Sequence, residues 1–401
     1  MFKHSMKIHS KLILTLLTLL TVSACGGTST TPTTIQTTAT IFYAHSLVFK
    51  NTSTLLSTGY NGFGQLGTGN LGNRSVPGGL NSYYPFRGYA AGGDHSVAFT
   101  NNSSVIYSWG YNGFGQLGNG TTTYSSIPVR SGTVTGIVAV AAGALHSLAL
   151  KKDGTVWAWG QNDVGQAGTA TGDTSGFITT PRKINGAAPL ANISSIAANG
   201  KHSLAIAKGG ALWAWGLNSN GQIGLDPSGP MQNSFDPVNI SMYYPSSIAS
   251  VTSIAAGTGS SYAVAANGTL WAWGVNDNGQ LGNGTTTSTH IPVQVKIDAL
   301  TYLSNVVQAA GGGQHGLARL ASGEVWAWGF NHFGQLGSSQ PDSSYAVKVT
   351  LPGSATDIRA FGASSMAMVN GAWYVWGDNT YGQLGVGTTG TVTTPTKMSG
   401  F

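Results

Sequence analysis

Apolar and polar residues alternate along this chain in short runs broken by glycine, and the same arrangement returns about every fifty residues. One copy shows the unit clearly. Small apolar residues in 138–147 (VAVAAGALHS) lead into a His-Ser pair. Two apolar runs follow, at 148–150 and 156–159, on either side of Lys-Lys-Asp-Gly (151–154). This spacing predicts a β-hairpin around an Asp-Gly turn. A glycine-rich loop (161–177) and a short run opened by proline (179–184) complete the unit. The segment AWGQNDVGQAG (158–168) recurs at 57–67, 108–118, 214–224, 272–282, 327–337 and 375–385. Its glycines Gly59, Gly110, Gly160, Gly216, Gly274, Gly329 and Gly377 are spaced by 51, 50, 56, 58, 55 and 48 residues. A strand-rich repeat of this period predicts an all-β propeller with one repeat per blade.

All eleven tryptophans fall in the third predicted strand of a repeat. Trp157 and Trp159 are two residues apart and so share one strand face. Their wide apolar area suits blade-on-blade packing. The combined pattern is Ala-Gly-x-x-His-Ser-Leu-Ala-Leu, then Asp-Gly, then Val-Trp-Ala-Trp-Gly-x-Asn-x-x-Gly-Gln-Leu-Gly. It resembles the RCC1-type (regulator of chromosome condensation) repeat and covers about residues 41–401. The resemblance implies a seven-bladed β-propeller with four-stranded antiparallel blades. Members of that family carry out nucleotide exchange on a GTPase, chromatin docking, light sensing and, in one secreted bacterial case, β-lactamase inhibition. The fold therefore leaves the function open.

The N-terminal segment reads as a targeting signal. Residues 1–24 start with Lys3, Lys7 and Lys11 and continue into an apolar stretch at 12–20, too short to span a bilayer. They end in Val22-Ser-Ala24 before Cys25, the only cysteine of the chain. This resembles the lipobox of bacterial lipoproteins, which implies lipidation of Cys25 and anchoring in the bacterial cell envelope, at the outer membrane or cell surface. Residues 25–40 are rich in Thr, Ser and Gly and read as a flexible tether to the propeller at 41–401. Ring closure has two routes: blades that exchange no strands, or a contribution from 37–43.

Strands A to D of a blade, counted outward from the axis, alternate in direction. The A–B turn and the C–D loop then share one face, and the B–C tip and the connector to the next blade share the other. On the first face, Tyr60, Phe63, Tyr111, Phe114, Phe330, Phe333 and Tyr381 occupy two variable loop positions in copies six, seven, one and two. Those copies are neighbours in a closed ring. The aromatics serve either as a contact arc for a protein or glycan or as packing for their own loops. A second candidate face carries Tyr83, Tyr84, Phe86, Tyr243 and Tyr244, with Tyr302 in the following connector. Inserted loops at 169–180 and 225–236 lengthen blades three and four on the first face.

Chemistry beyond binding finds little support. His45, His95, His146, His202 and His315 occupy equivalent sites around a ring. They cannot converge on one metal, and each is expected to hydrogen-bond its own loop. Residues 62–67 match a dinucleotide-binding Gly-x-Gly-x-x-Gly but recur in tandem without a following helix. Glu324 is the only glutamate, so paired carboxylates are poorly supported. Three of the 18 Lys and Arg lie before Cys25, leaving 15 against 12 acidic residues, a net +3 with no basic run. That is weak for nucleic acid. The expectation is a monomeric, non-catalytic scaffold without metal or cofactor, binding a protein or glycan and touching the membrane through its lipid only. The alternatives are an inhibitor of an extracytoplasmic enzyme and, against export, a nucleotide-exchange factor.

Overall fold

In each repeat the Asp-Gly or equivalent turn reverses the chain between two apolar strands, and the glycine loop returns it for a last, polar one. A computed structural model describes residues 44–401, apart from 52, 102–103, 170–175, 186–189, 230–232, 244–247 and 249. Cys25, the signal segment, the tether, the 37–43 stretch considered for ring closure and Tyr244 lie outside the described residues.

Blade three runs A (Ile137–Ala142), B (His146–Lys151), C (Val156–Gln161) and D (Phe177–Lys183), paired antiparallel in chain order. Six blades have four strands in this order, and the first has three among the described residues: His45–Phe49, Leu55–Gly59 and Arg74–Gly79. The seven sheets form the propeller. Burial falls from the axis outward. Strands A to C are almost wholly buried, whereas D strands such as Ser125–Arg130 are largely accessible.

Seven seams hold the ring, and one contact is common to all of them. The C–D loop of each blade lies against the D strand of the next, so close that a Cβ on Gly64 would stand 2.4 Å from the Cα of Ser126. Gly64 also has φ +83°, a second reason for glycine. The seventh blade meets the first in the same way, with Gly382 against Ser75. Ser46 Oγ donates to Gln383 O at 2.6 Å, and Gly387 N to Ser75 O at 2.8 Å. Among the described residues no sheet combines strands from the two chain ends, and the last blade takes all four strands from Ala355–Phe361 to Val392–Lys397.

Six tryptophans, Trp109, Trp159, Trp215, Trp273, Trp328 and Trp376, are fully buried. Each spans a seam, its indole N–H donating to the carbonyl of the preceding blade's motif glutamine at 2.8–3.0 Å, as Trp159 does to Gln116. They pack blade on blade, as the strand pattern predicts, and the indole N–H adds direction to that packing.

Candidate functional site

The motif asparagine and glutamine are buried and act on the loop itself. In all seven copies the asparagine Oδ1 accepts the N–H five residues on, as Asn112 does from Leu117 at 2.9 Å. The glutamine Oε1 accepts the N–H two residues back, as Gln116 does from Phe114. With the asparagine and glutamine committed inward, the loop surface is left to the two variable positions and to the residue after the asparagine, such as Asp163 or Asp277.

The five histidines depart from expectation. Each bonds across the seam instead of within its own loop: His45 Nε2 lies 3.0 Å from Ser96 Oγ, and His95, His146, His202 and His315 reach Ser147, Ser203, Ser261 and Ser365 at 2.8–2.9 Å. Each of these serines spends its proton on the preceding glutamine carbonyl, as Ser96 does on Gln65 O at 2.8 Å. The hydroxyl therefore accepts, and the histidine must carry its proton on Nε2. The buried Nδ1 atoms have no partner among the described residues. Burial lowers the histidine pKa from 6.5 to about 3 at His45, His95, His146 and His315 and to about 4 at His202.

Two seams lack the histidine. The closing seam has Ser364 in its place, donating to Asp378 O at 2.7 Å, and Thr58 where the other blades have the buried tryptophan. The seam between blades five and six is rebuilt. Copy five has Ser260 for histidine and Tyr262 for leucine, and copy six has Gly316 for serine. The Tyr262 hydroxyl donates to Gln280 O at 2.7 Å, in place of the missing serine, while Ser260 Oγ donates to Tyr262 at 3.1 Å. A Cβ on Gly316 would sit 2.5 Å from Trp328 Cε2. The three changes form one unit.

Backbone contacts fix the two faces. Tyr111 N donates to Asp94 O and Gln161 N to Leu145 O, tying C–D loop to A–B turn. Lys152 N donates to Gly136 O and Lys208 N to Asn192 O, tying B–C tip to connector.

On the first face the aromatics pair across seams. Tyr381 and Tyr60 have ring centroids 5.0 Å apart, Phe63 and Tyr111 4.9 Å, and Phe114 and Phe177 6.5 Å. The run thus crosses blades seven, one, two and three. Phe330 and Phe333 make a separate pair within blade six, 6.3 Å apart. Tyr60, Phe63, Tyr111, Phe114 and Phe330 are half-buried, while Phe333 (39 %) and Tyr381 (43 %) are exposed. Tyr60 and Tyr111 also fold over their own loops, closing on Gly62 and Gly113. Phe177 is the member that sequence reading missed. It closes the inserted loop of blade three, outside the repeat motif, and only the fold brings it to Phe114.

Acidic residues stud this same face. Asp163 Oδ1 accepts from Gln166 at 2.8 Å, and its Oδ2 lies 3.0 Å from Lys201 Nζ. Burial opposes its ionisation, but those two donors outweigh it and hold the carboxyl below the usual range. Asp94 is raised by burial. Among the described residues no three His, Cys, Asp or Glu side chains are grouped to hold a metal.

The second face loses one predicted member. Phe86 is 2 % exposed and lies 5.9 Å from the buried Trp109, so it belongs to the core: as the first residue of its A strand, it points inward. Tyr84 stacks on Tyr107 at 4.0 Å. Tyr83, Tyr243 and Tyr302 are exposed.

A polar cluster not anticipated from sequence joins blades six, seven and two. Asp357 accepts from Gln308 at 2.6 Å and from Arg359 at 3.1 Å. The Arg359 guanidinium stands over Tyr89 at 4.9 Å and Trp373 at 4.8 Å and bonds the Tyr89 hydroxyl. Their strand positions recur in other blades but their residue types do not, so a period cannot reveal them.

Comparison with known proteins agrees with this architecture. The family described as "Regulator of chromosome condensation (RCC1) repeat" matches residues 54–99, 104–150, 153–206, 209–264, 267–319, 322–366 and 370–401. The ultraviolet-B receptor UVR8 of Arabidopsis thaliana is 30% identical over 314 residues, 77% of this chain and 68% of that protein. The mitochondrial RCC1 domain-containing protein RUG3 of Arabidopsis thaliana is 32% identical, covering 68% of this chain and 61% of its own length. The human E3 ubiquitin-protein ligase HERC2 is 29% identical, but the match spans 6% of that protein. Prp20p of Saccharomyces cerevisiae has a TM-score of 0.76 at 21% identity, covering 88% of this chain and 87% of that one. With seven matched repeats on seven blades, the chain belongs to the RCC1 repeat family.

Proposed function

We propose that this chain is a lipid-anchored, extracytoplasmic scaffold of the bacterial cell envelope that binds a protein or glycan without catalysis. The run of aromatic pairs over blades seven to three carries the reading: it offers apolar area on a ring whose motif asparagines and glutamines are spent on their own loops. Cys25, behind a signal-like segment and before a Thr- and Ser-rich tether, supports the anchor. The scaffold role is in keeping with a relative that bears the name of a receptor. A contiguous aromatic surface also suits inhibition of an extracytoplasmic enzyme, the form the binding takes when the partner is one.

The test is capture from cell-envelope extract by the parent chain and by a Phe333→Ser, Tyr381→Ser variant, which alters the two exposed aromatics of the set. A partner retained by the parent and lost by the folded variant supports the surface. Equal retention moves the site elsewhere, and a parent without any partner refutes the scaffold.

A further inference from the structure

The small net charge of the sequence conceals a division between the faces. The A–B and C–D side carries Asp94, Asp163, Asp226, Asp277, Asp342 and Asp378, with Lys201 among them and Arg74 at the start of a D strand, its guanidinium donating to Gly79 O along that strand. The opposite side carries Lys50, Lys152 and Lys208 at the B–C tips, with Arg87 near the start of its A strand and Lys296 at a connector. Lys50, Arg87, Lys152 and Lys208 are exposed, and among the described residues none has a carboxylate within ion-pair distance. Four D strands also end in a base on this side: Arg130, Lys183, Lys348 and Lys397, in register with Tyr107, Trp157, Trp326 and Tyr374. The acids here are engaged locally. Asp153 pairs with Lys151, Glu324 with Lys348, and Asp298 accepts the N–H groups of Leu300 and Thr301.

Exposed apolar groups stand among these bases. Tyr83 is fully exposed, Leu300 is 89 % exposed, and Tyr243 and Tyr302 are exposed too, all on connectors. Lys296 lies 5.3 Å over the Tyr302 ring. Amphipathic rings and a leucine projecting beside uncompensated lysines have the chemistry of a surface that rests at a lipid–water boundary.

We propose that the B–C and connector face docks on anionic phospholipid headgroups, so that the acidic, aromatic face is turned away from the membrane toward its partner. Each base near such a surface adds attraction that decays within a Debye length. The tyrosines and Leu300 enter the headgroup layer and make the contact partly salt-resistant. Residues 25–43 span at most about 65 Å when extended, enough to pass a blade edge of strands about 20 Å long. Docking therefore does not depend on which face the tether leaves. The orientation rests on the anchored reading above; the charge of the face does not.

The experiment uses the full chain in vesicles of phosphatidylethanolamine and phosphatidylglycerol, against vesicles of phosphatidylcholine. A water-soluble acetylating reagent is applied and each lysine is read by peptide mass spectrometry. Lys50, Lys152 and Lys208 should react roughly threefold or more slowly on the anionic vesicles, with Lys201 on the other face unchanged, and roughly 0.5 M salt should reduce the difference. Equal reactivity on both vesicles, or protection of Lys201 instead, overturns the proposal. Protection by dextran sulfate but not by vesicles would assign the face to a soluble polyanion and overturn it as well. The mass of the Cys25 peptide reports acylation separately. If Cys25 is unmodified, the anchor fails, and the same chain added to the vesicles at low salt still reads the face.

Discussion

Acid should open this propeller well before its carboxylates titrate. Five histidines are 0 % exposed, each donating from Nε2 and holding an Nδ1 without a partner among the described residues, and burial lowers their pKa values from 6.5 to about 3 or 4. The folded state therefore excludes protons that the unfolded chain binds. Stability is complete above about pH 6.5 and falls as pH drops from there toward 3 or 4. Each proton taken up on unfolding is worth about 1.4 kcal/mol per pH unit, so five histidines remove about 7 kcal/mol by pH 5.5 and about as much for the next unit. That is comparable to the whole stability of an ordinary domain, about 5–15 kcal/mol. Urea unfolding at half-unit steps between pH 7.5 and 5, followed by tryptophan emission, measures the slope. His146→Gln keeps a donor toward Ser203 and removes one titrating group, so the slope should fall from about five protons to about four. A slope below about one proton over this range, or histidine pKa values near 6.5 in the folded protein by NMR, would refute the buried-neutral assignment.

Three further outcomes follow from the seams. Trp215→Phe removes the donor to Gln166 O and should cost about 2–4 kcal/mol in urea unfolding, the hydrogen bond plus the lost packing. Gly316→Ser should destabilise by about 1–3 kcal/mol, because its Cβ meets Trp328; restoring His at 260 and Leu at 262 in the same chain should recover most of the loss, and no recovery would show that the three positions are independent. Arg359→Ala should cost about 3–5 kcal/mol by leaving Asp357 and the Tyr89 hydroxyl with fewer partners, measurable as a lower melting temperature.

Much of the molecule is legible along the chain. The hairpins, the inward tryptophans and the assignment of loops to faces follow from neighbours in sequence: alternation sets strand faces, Asp-Gly sets turns, and antiparallel order sets which loops lie together. The arc over copies six, seven, one and two is legible only as positions. Its pairs depend on ring directions, which link Tyr381 to Tyr60 and Phe63 to Tyr111 across seams. The binding role of those residues is a further step that no pattern in the chain supplies.

What the sequence by itself determined is the repeat, because local hydrogen bonds and burial periodicity act over a few residues and recur with them. What only the tertiary structure decided lies between blades. A histidine in an Ala-Gly-x-x-His turn has its own serine beside it in the chain, yet bonds the serine of the next blade, about fifty residues on, because the seam brings the two within 3 Å. Phe86 reads as one of an aromatic cluster, yet burial takes it from the surface. The exchange of Ser260, Tyr262 and Gly316 is invisible as single departures from a motif and intelligible once one carbonyl, Gln280 O, is seen to need a second donor. The separation of charge by face has the same origin: composition adds the charges, and only the closed ring sorts them.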